Sequence, residues 1–161
     1  MYSPSQTLPL SSAISMTQYR DKALVSQMLT DTFLSSPRSK ILLITRINPY
    51  SPKQNETIFL VHHIIPVPYG TKTFDVEILI YFPSDFPLRA PEFYFFKKAM
   101  LTVEPKYLVN PTTRRDLLIE LRKFTTWNRN DPNVLNAINK LSQEFAKKFP
   151  CFKSPNKRQD V

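Results

Sequence analysis

The sequence predicts an α+β domain in which helices pack on one antiparallel sheet. Four short apolar runs, separated by prolines and turn residues, follow one another in the first part of the 161-residue chain. This order is typical of strands joined by hairpins. Apolar residues at helical spacing lie before these runs and again near the end of the chain. A stretch without a regular pattern separates the last strand from the last helix.

The chain is predicted to begin with a flexible leader, residues 1–15, which is rich in Ser, Pro and Gln. This segment contains no charged residue, and it therefore lacks the basic region of a secretory signal. We expect a cytoplasmic protein. The first helix is predicted over residues 17–33, with Thr17 as its cap. Its apolar residues at helical spacing are Ala23, Leu24, Met28 and Leu29.

Four strands follow in the prediction. They cover residues 40–46, 57–65, 73–82 and 92–96. The third run is the clearest, because its apolar residues alternate with polar ones and indicate a half-buried strand. Its alternating apolar residues are Phe74, Val76, Ile78, Ile80 and Phe82. Gly70 is the only glycine, which excludes a glycine-rich phosphate-binding loop.

Regular patterning is lost between Phe96 and Asp131. In most compact domains, an irregular stretch of this length has a functional role. Asp131-Pro132 is predicted to open the last helix, with proline in its first turn, and the helix is predicted to end before Pro150. The apolar stripe of this helix is formed by Val134, Ile138, Leu141 and Phe145.

The net charge of +9 is unevenly distributed. Residues 97–161 contain 14 basic and 6 acidic side chains, whereas residues 1–96 contain 8 and 7. The cations are dispersed singly and in pairs, which is typical of a solvated face. The asymmetry leaves open a surface for nucleic acid or for an anionic membrane. The lone cysteine, Cys151, cannot form an internal disulfide and fits a reducing compartment.

Three proline-containing segments carry a family resemblance. They are residues 81–91 (YFPSDFPLRAP), residues 65–69 (IPVPY) with the following Thr73-Phe74, and residues 150–155 (PCFKSP). With the order of elements, these segments resemble the ubiquitin-conjugating-enzyme variant (UEV) domain of the Vps23-type subunit of ESCRT-I. The resemblance implies a ubiquitin-conjugating-enzyme-like fold for residues 16–155, followed by a basic tail at 156–161.

The same resemblance implies that the chain is not an enzyme. Active conjugating enzymes place a nucleophilic cysteine in the irregular stretch, a few residues before a tryptophan. The corresponding window, residues 110–127, contains Leu117, Leu118 and Ile119 but no cysteine. Cys151 lies beyond the last helix, and no residues have the spacing of a metal site or of a hydrolase triad. No catalytic residue, metal or cofactor is expected.

A groove for an extended Pro-[Ser/Thr]-Ala-Pro peptide is implied between the second hairpin and the C-terminal segment. The walls expected from the resemblance are Tyr69 and Phe74 on one side and Pro150, Cys151 and Phe152 on the other. The expected floor and rim residues are Ile64, Asp75, Met100 and Leu101. Phe74 stands where the family has a tyrosine, so one hydroxyl is missing. The alternative for Phe74 and Phe152 is that both are core residues.

Ubiquitin is implied as a second ligand, on the tongue between the first two strands and on the outer face of the sheet. The residues implicated are Tyr50, Ser51, Pro52 and Tyr94. The implied role is sorting of ubiquitinated cargo to multivesicular bodies at the endosome periphery, with proline-rich sorting proteins as partners. Other ESCRT-I subunits would bind through regions absent from this chain.

Two other functions stay open at this point. One is a basic adaptor for anionic membrane or nucleic acid, although no known nucleic-acid motif accompanies the cations. The other is a heterodimeric cofactor of an active conjugating enzyme.

Overall fold

The computed structural model describes residues 9–97, 101–112 and 117–153, except the side chains of Leu101, Phe152 and Lys153. Its α-helices are α1 (Leu10–Ala13), α2 (Lys22–Leu29) and α3 (Val134–Lys147). Its strands are β1 (Ser39–Ile47), β2 (Asn55–Tyr69), β3 (Lys72–Tyr81), β4 (Glu92–Phe95), β5 (Leu101–Val103) and β6 (Cys151–Lys153). The predicted α+β class, with a four-stranded meander between an N-terminal and a C-terminal helix, is confirmed.

The main sheet has the order β1-β2-β3-β4, and each strand runs antiparallel to the next. A single row of paired residues, Ile41, Val61, Ile80 and Phe93, crosses all four strands. Val61, Ile80 and Phe93 are buried, and Phe95 on the same face lies 5.5 Å from the ring of Phe145 in α3. This inner face therefore forms the core with α3, while the opposite, outer face is left uncovered by that helix.

β2 is longer than predicted, because it continues through Pro66 and Pro68 to Tyr69. The N–H of Ile64 donates to the carbonyl of Arg38. The backbone nitrogens of the even-numbered residues at this end of β2 therefore point toward the β1 side. β1 begins at Ser39, and the two prolines therefore fall where β2 has no neighbour on that side. A proline lacks the N–H that such a neighbour would need, and it is tolerated at a free edge.

The first helix begins later than predicted. The Thr17 hydroxyl donates to the Ile14 carbonyl at 2.6 Å and closes a 3-10 turn at Ile14–Met16, so Thr17 does not cap α2. Asp21 is the cap, and its carboxylate accepts the Leu24 N–H at 3.0 Å. Both residue types favour helix starts, which is why the sequence pattern placed the boundary wrongly.

Two further helical boundaries differ from the prediction. α1 and the 3-10 turn that follows it occupy part of the segment predicted as a flexible leader, and Ala13 there is buried. α3 begins at Val134, capped by Asn133, whose side chain accepts the Asn136 N–H at 2.9 Å. Asp131-Pro132 therefore precedes the helix rather than opening it.

Tyr19 joins the chain before α2 to the centre of the sheet. Its hydroxyl donates to the Phe82 carbonyl at 2.6 Å and accepts the Phe59 N–H at 2.8 Å. The ring stacks on Phe59, and burial raises the pKa of the Tyr19 phenol far above its usual value. The hydroxyl thus satisfies two buried backbone groups at once.

Replacing Tyr19 with phenylalanine is expected to lower the free energy of unfolding by about 1–3 kcal/mol, because one buried acceptor and one buried donor lose their partner. Urea denaturation monitored by Trp127 fluorescence measures this difference. Tyr69→Phe is the matched control, since Tyr69 is exposed and its loss of hydroxyl should change the free energy by about 0.5 kcal/mol or less. Equal effects of the two substitutions would contradict the role assigned to Tyr19.

The irregular region forms backbone pairings in two places that the sequence did not indicate, one in a separate two-stranded sheet and one at the edge of the main sheet. β5 pairs antiparallel with β6, and the Glu104 N–H donates to the Pro150 carbonyl at 2.7 Å. Farther along, the Ile119 N–H donates to the Phe93 carbonyl at 2.8 Å, and Leu117 accepts from Phe95. Residues 117–119 therefore cover the edge of β4 that would otherwise be unpaired.

Candidate functional site

Three aromatic rings meet at the end of the inner face. Tyr69 and Phe74 come from the hairpin between β2 and β3, and Phe149 comes from the segment after α3. The Phe149 ring lies 5.4 Å from the rings of both Tyr69 and Phe74. Tyr69 is 48% exposed and Phe74 is 42% exposed, at the hairpin ends of β2 and β3. We call these three residues the aromatic cleft.

Strand alternation explains why the cleft forms here. Phe74 pairs with Val67 and Tyr69 lies two residues beyond Val67, so both rings project from the inner face. Phe149 packs against the buried core just past the end of α3 and contacts both rings. Phe74 is thus an exposed member of the cleft rather than a core residue. Sequence reasoning did not assign Phe149 to the site, although its neighbour Pro150 was assigned.

The other predicted wall lies beside Phe149. Pro150 is buried, and its carbonyl accepts a hydrogen bond from the Glu104 N–H. Cys151 is half-buried and pairs with Val103. The strand pairing of Leu101 and Phe152 is described, but the positions of their side chains are outside the described part of the structure. Met100 also lies outside the described residues.

The structure does not bring Ile64 and Asp75 together with the aromatic cleft. Asp75 follows Phe74 directly, and successive residues of a strand point to opposite faces. Ile64 pairs with Glu77 and Asp75 pairs with Pro66 on the outer face. There the Asp75 carboxylate forms an ion pair with Arg38. The floor of the cleft must therefore come from other residues.

A hollow of about 520 Å³ occupies the outer face of the sheet. We call it the outer-face hollow. Most of its lining is apolar, and the main contributors are Leu42, Ile44, Leu60, Leu79, Tyr94 and Phe96. Of the residues predicted for the second ligand, Tyr94 lines this hollow directly.

Polar side chains at the two ends of the outer-face hollow are hydrogen-bonded to carboxylates. At one end, His62 Nε2 lies 3.0 Å from Glu77 Oε1, and its ring stacks on Phe96 at 4.9 Å. At the other end, the Arg46 guanidinium donates to Glu56 at 2.7 Å and to Glu92 at 3.1 Å. Burial alone would lower the pKa of Arg46, but the hydrogen bonds to Glu92 and Glu56 raise it above its usual value. The hollow is therefore a largely apolar surface with hydrogen-bonded polar groups at both ends.

The tongue, residues 48–54, is fixed beside this hollow. Its backbone forms a closed turn in which the Asn48 N–H donates to the Gln54 carbonyl at 2.9 Å. The Tyr50 hydroxyl donates to Glu92 Oε2 at 3.3 Å, and the guanidinium carbon of Arg89 lies 3.7 Å from the Tyr50 ring centre. Burial and the Glu92 charge raise the pKa of Tyr50, while Asp85 holds Arg89 at 2.7 Å.

The predicted ubiquitin residues are brought to one region. Tyr94 donates to the same Glu92 carboxylate at 3.4 Å, so Tyr50 and Tyr94 meet around one acidic group. Ser51 and Pro52 follow Tyr50 at the tip of the tongue, where Pro52 is exposed. Arg89 and Glu92, which hold the tongue in place, were not assigned by sequence reasoning.

The chemistry available to a catalyst is limited in the described residues. The only cysteine of the sequence, Cys151, lies on β6 rather than in the window before Trp127. Across residues 9–97, 101–112 and 117–153, no three His, Cys, Asp or Glu side chains come close enough to bind a metal ion. In the same part of the chain, none of the helices has the length and apolar character needed to span a bilayer.

Comparison with known proteins agrees with the geometry. A family model described as the UEV domain matches residues 13–153. No curated protein matches the sequence. A structure of the Vps23 UEV in complex with ubiquitin shows 12% identity and a TM-score of 0.62, covering 84% of this chain and 94% of that chain. The yeast vps23 UEV domain in complex with a vps27 PSDP peptide shows 12% identity and a TM-score of 0.62, with 85% and 92% covered.

Proposed function

Because this chain belongs to the UEV domain family, we propose that it is a non-catalytic module that binds proline-rich peptides in the aromatic cleft and ubiquitin on the outer face. The observation that carries the proposal is the exposure of Tyr69 and Phe74 around Phe149. An inability to transfer ubiquitin is part of the proposal, and it is supported by the absence of cysteine from residues 110–127.

A peptide of the Pro-[Ser/Thr]-Ala-Pro type suits the aromatic cleft. Such peptides already favour the extended polyproline II form, so little conformational entropy is lost when they bind. A proline ring can lie flat on an exposed aromatic face, and the cleft offers the faces of Tyr69 and Phe74. Strand β6 of the β5–β6 pair follows Phe149 in sequence through Pro150, and we propose this pair as the second wall of the cleft. A similar ligand, a vps27 PSDP peptide, occurs in the complex of the yeast vps23 UEV domain.

Ubiquitin binding is supported by the outer-face hollow and the tongue. A largely apolar hollow on a sheet face that α3 leaves uncovered is a candidate protein interaction site. The tongue is held by Arg89 and Glu92, so it needs no ordering when a partner binds. The Vps23 UEV, which shares this fold, has been seen in complex with ubiquitin.

The proposed cellular role is sorting of ubiquitinated cargo to multivesicular bodies, as part of ESCRT-I at the endosome periphery. Membership of the UEV family and the Vps23 neighbours support this role. The net charge of +9 supports an additional, peripheral contact with anionic membrane, because such a surface attracts cations.

Titration of the ¹⁵N-labelled protein with a Pro-Thr-Ala-Pro peptide tests the peptide part of the proposal. Chemical-shift changes are expected at Tyr69, Phe74 and Phe149, and a peptide with both prolines replaced by alanine should leave these signals in place. Failure of every proline-rich peptide to shift any signal would overturn the proposed cleft function.

Replacing Tyr94 with alanine is expected to weaken ubiquitin binding about fivefold or more, because it removes a central aromatic side chain from the outer-face hollow. The same titration method with ubiquitin measures the effect. Leu135→Ala, at an exposed position of α3, is the control and should leave the affinity unchanged. If wild-type protein shows no shifts with ubiquitin at millimolar concentration, the ubiquitin part of the proposal is wrong.

A further inference from the structure

Lys72 occupies the end of the aromatic cleft. It opens β3 directly opposite Tyr69, across a turn in which Gly70 has a φ of 67°. A positive φ of this size favours glycine, so the turn geometry is fixed. Residues paired across antiparallel strands have Cβ atoms about 4.5–5.5 Å apart on the same face. The Lys72 side chain therefore starts beside the Tyr69 ring on the cleft side of the sheet.

Lys72 differs from Arg38 and Lys148 in that no partner for its charge lies among the described residues. Arg38 is paired with Asp75 on the outer face, and Lys148 Nζ lies 3.7 Å from Glu104 Oε1 beside Pro150. Lys72 is exposed and forms no ion pair with any residue that the structure describes. Its positive charge is therefore available to a ligand.

Two features strengthen the effect of the Lys72 charge on a bound peptide. The charge lies close to the peptide, and the surroundings of the site are less polar than bulk water. The exposed rings of Tyr69 and Phe74 displace water on one side of the site, and this strengthens attraction between opposite charges. Because Lys72 pairs directly with Tyr69, a peptide residue next to a proline seated on Tyr69 would lie within reach of the Lys72 ammonium group. A carboxylate there would gain a charge-assisted hydrogen bond, whereas a basic side chain would be repelled.

We propose that Lys72 makes the aromatic cleft selective for proline-rich peptides that carry aspartate or glutamate beside the proline seated on Tyr69. This inference rests on the proposed peptide function and defines the ligand of that site more narrowly. Its partners are proline-rich segments with an acidic flank.

A positional scan tests the inference. Aspartate is placed in turn at each position flanking a Pro-Thr-Ala-Pro core, with asparagine at the same position as the neutral reference, and dissociation constants are measured by fluorescence anisotropy. At one position, aspartate should improve the affinity roughly twofold to fivefold over asparagine, which is the range for exposed charge pairs. Raising the salt from about 0.05 M to about 0.5 M should remove most of this gain.

Substitutions of Lys72 separate its charge from its packing. Lys72→Met should remove the preference for aspartate, Lys72→Glu should reverse it in favour of lysine peptides, and Lys72→Arg should retain it. Lys140→Met, on an exposed position of α3, is the matched control and should keep the wild-type preference.

The outcomes distinguish the two proposals. If the wild-type protein binds the core peptide but shows no position at which aspartate is preferred, the inference is wrong and the cleft function stands. The same conclusion follows if Lys72→Met and Lys140→Met behave alike. If no proline-rich peptide binds the wild-type protein, both proposals are overturned.

Discussion

Tyr69→Ala is expected to raise the dissociation constant of a Pro-Thr-Ala-Pro peptide about thirtyfold or more, which corresponds to a hot-spot loss of about 2 kcal/mol or more. The Tyr69 ring contacts Phe149 and is the most exposed of the three rings of the cleft. Its removal deprives the ligand of a flat apolar contact and leaves Phe149 without one of its two aromatic neighbours.

Isothermal titration calorimetry with the wild type and both Tyr69 variants measures this effect. Tyr69→Phe preserves the ring and should bind within about threefold of the wild type, a change near the median for a single exposed hydrogen bond. The fold should survive in both variants because the side chain is half exposed, and an unchanged ubiquitin titration verifies this. Wild-type affinity in Tyr69→Ala would place the peptide elsewhere on the molecule.

Arg46→Ala is expected to lower the free energy of unfolding by about 3–5 kcal/mol, the range observed when one partner of a buried ion pair is removed. Glu56 is only 2% exposed, and Arg46 is its one charged partner among the described residues. The Ser84 N–H, at 3.2 Å from Glu56 Oε1, would remain as a neutral partner. Glu92 would also lose its two hydrogen bonds to the guanidinium.

Urea denaturation of Arg46→Ala and Arg122→Ala provides a direct comparison. The Arg122 side chain is 90% exposed beside Glu120, and its removal should leave the free energy of unfolding close to the wild-type value because solvent screens this pair. Adding Glu56→Gln to Arg46→Ala should recover part of the lost stability, because the unpaired buried charge is then absent. Equal effects of Arg46→Ala and Arg122→Ala would show that the buried carboxylates do not depend on Arg46.

The main sheet could be predicted because its strands carry their own periodicity. Phe74, Val76, Ile78 and Ile80 recur at every second position, with Asp75 and Glu77 between the first three, and β3 follows this pattern from Lys72 to Tyr81. The last helix could be predicted for the same reason, since Val134, Ile138, Leu141 and Phe145 are all buried on one side of α3. In these elements, local pattern and tertiary packing favour the same structure.

Elements that depend on contacts distant in sequence could not be predicted. β5 and β6 have three residues each and pair across the whole of α3, so neither has a recognisable local pattern. The boundary of α2 was missed because Thr17 and Asp21 are both good caps, and only the contact between Thr17 and Ile14 decides between them. Phe149 was missed because no periodic element contains it.

The residues assigned to the proposed peptide site were only partly placed together by the structure. Tyr69 and Phe74 were identified together, and the structure places them together. Ile64 and Asp75 were grouped with them on the family resemblance, whereas strand alternation places both on the outer face. The binding roles of all these residues stay predictions until the titrations above are made.

The alternation of β2 and β3 has a consequence for how the domain can evolve. Odd-numbered residues of β2 from Val61 to Tyr69 face one way, and even-numbered residues from Leu60 to Ile64 face the other. Under the proposed function, the peptide contacts the odd-numbered positions and ubiquitin contacts the even-numbered ones. A mutation can therefore change the affinity for one ligand while the affinity for the other is kept. Insertion of a single residue within β2 would instead exchange the two faces and damage both specificities at once.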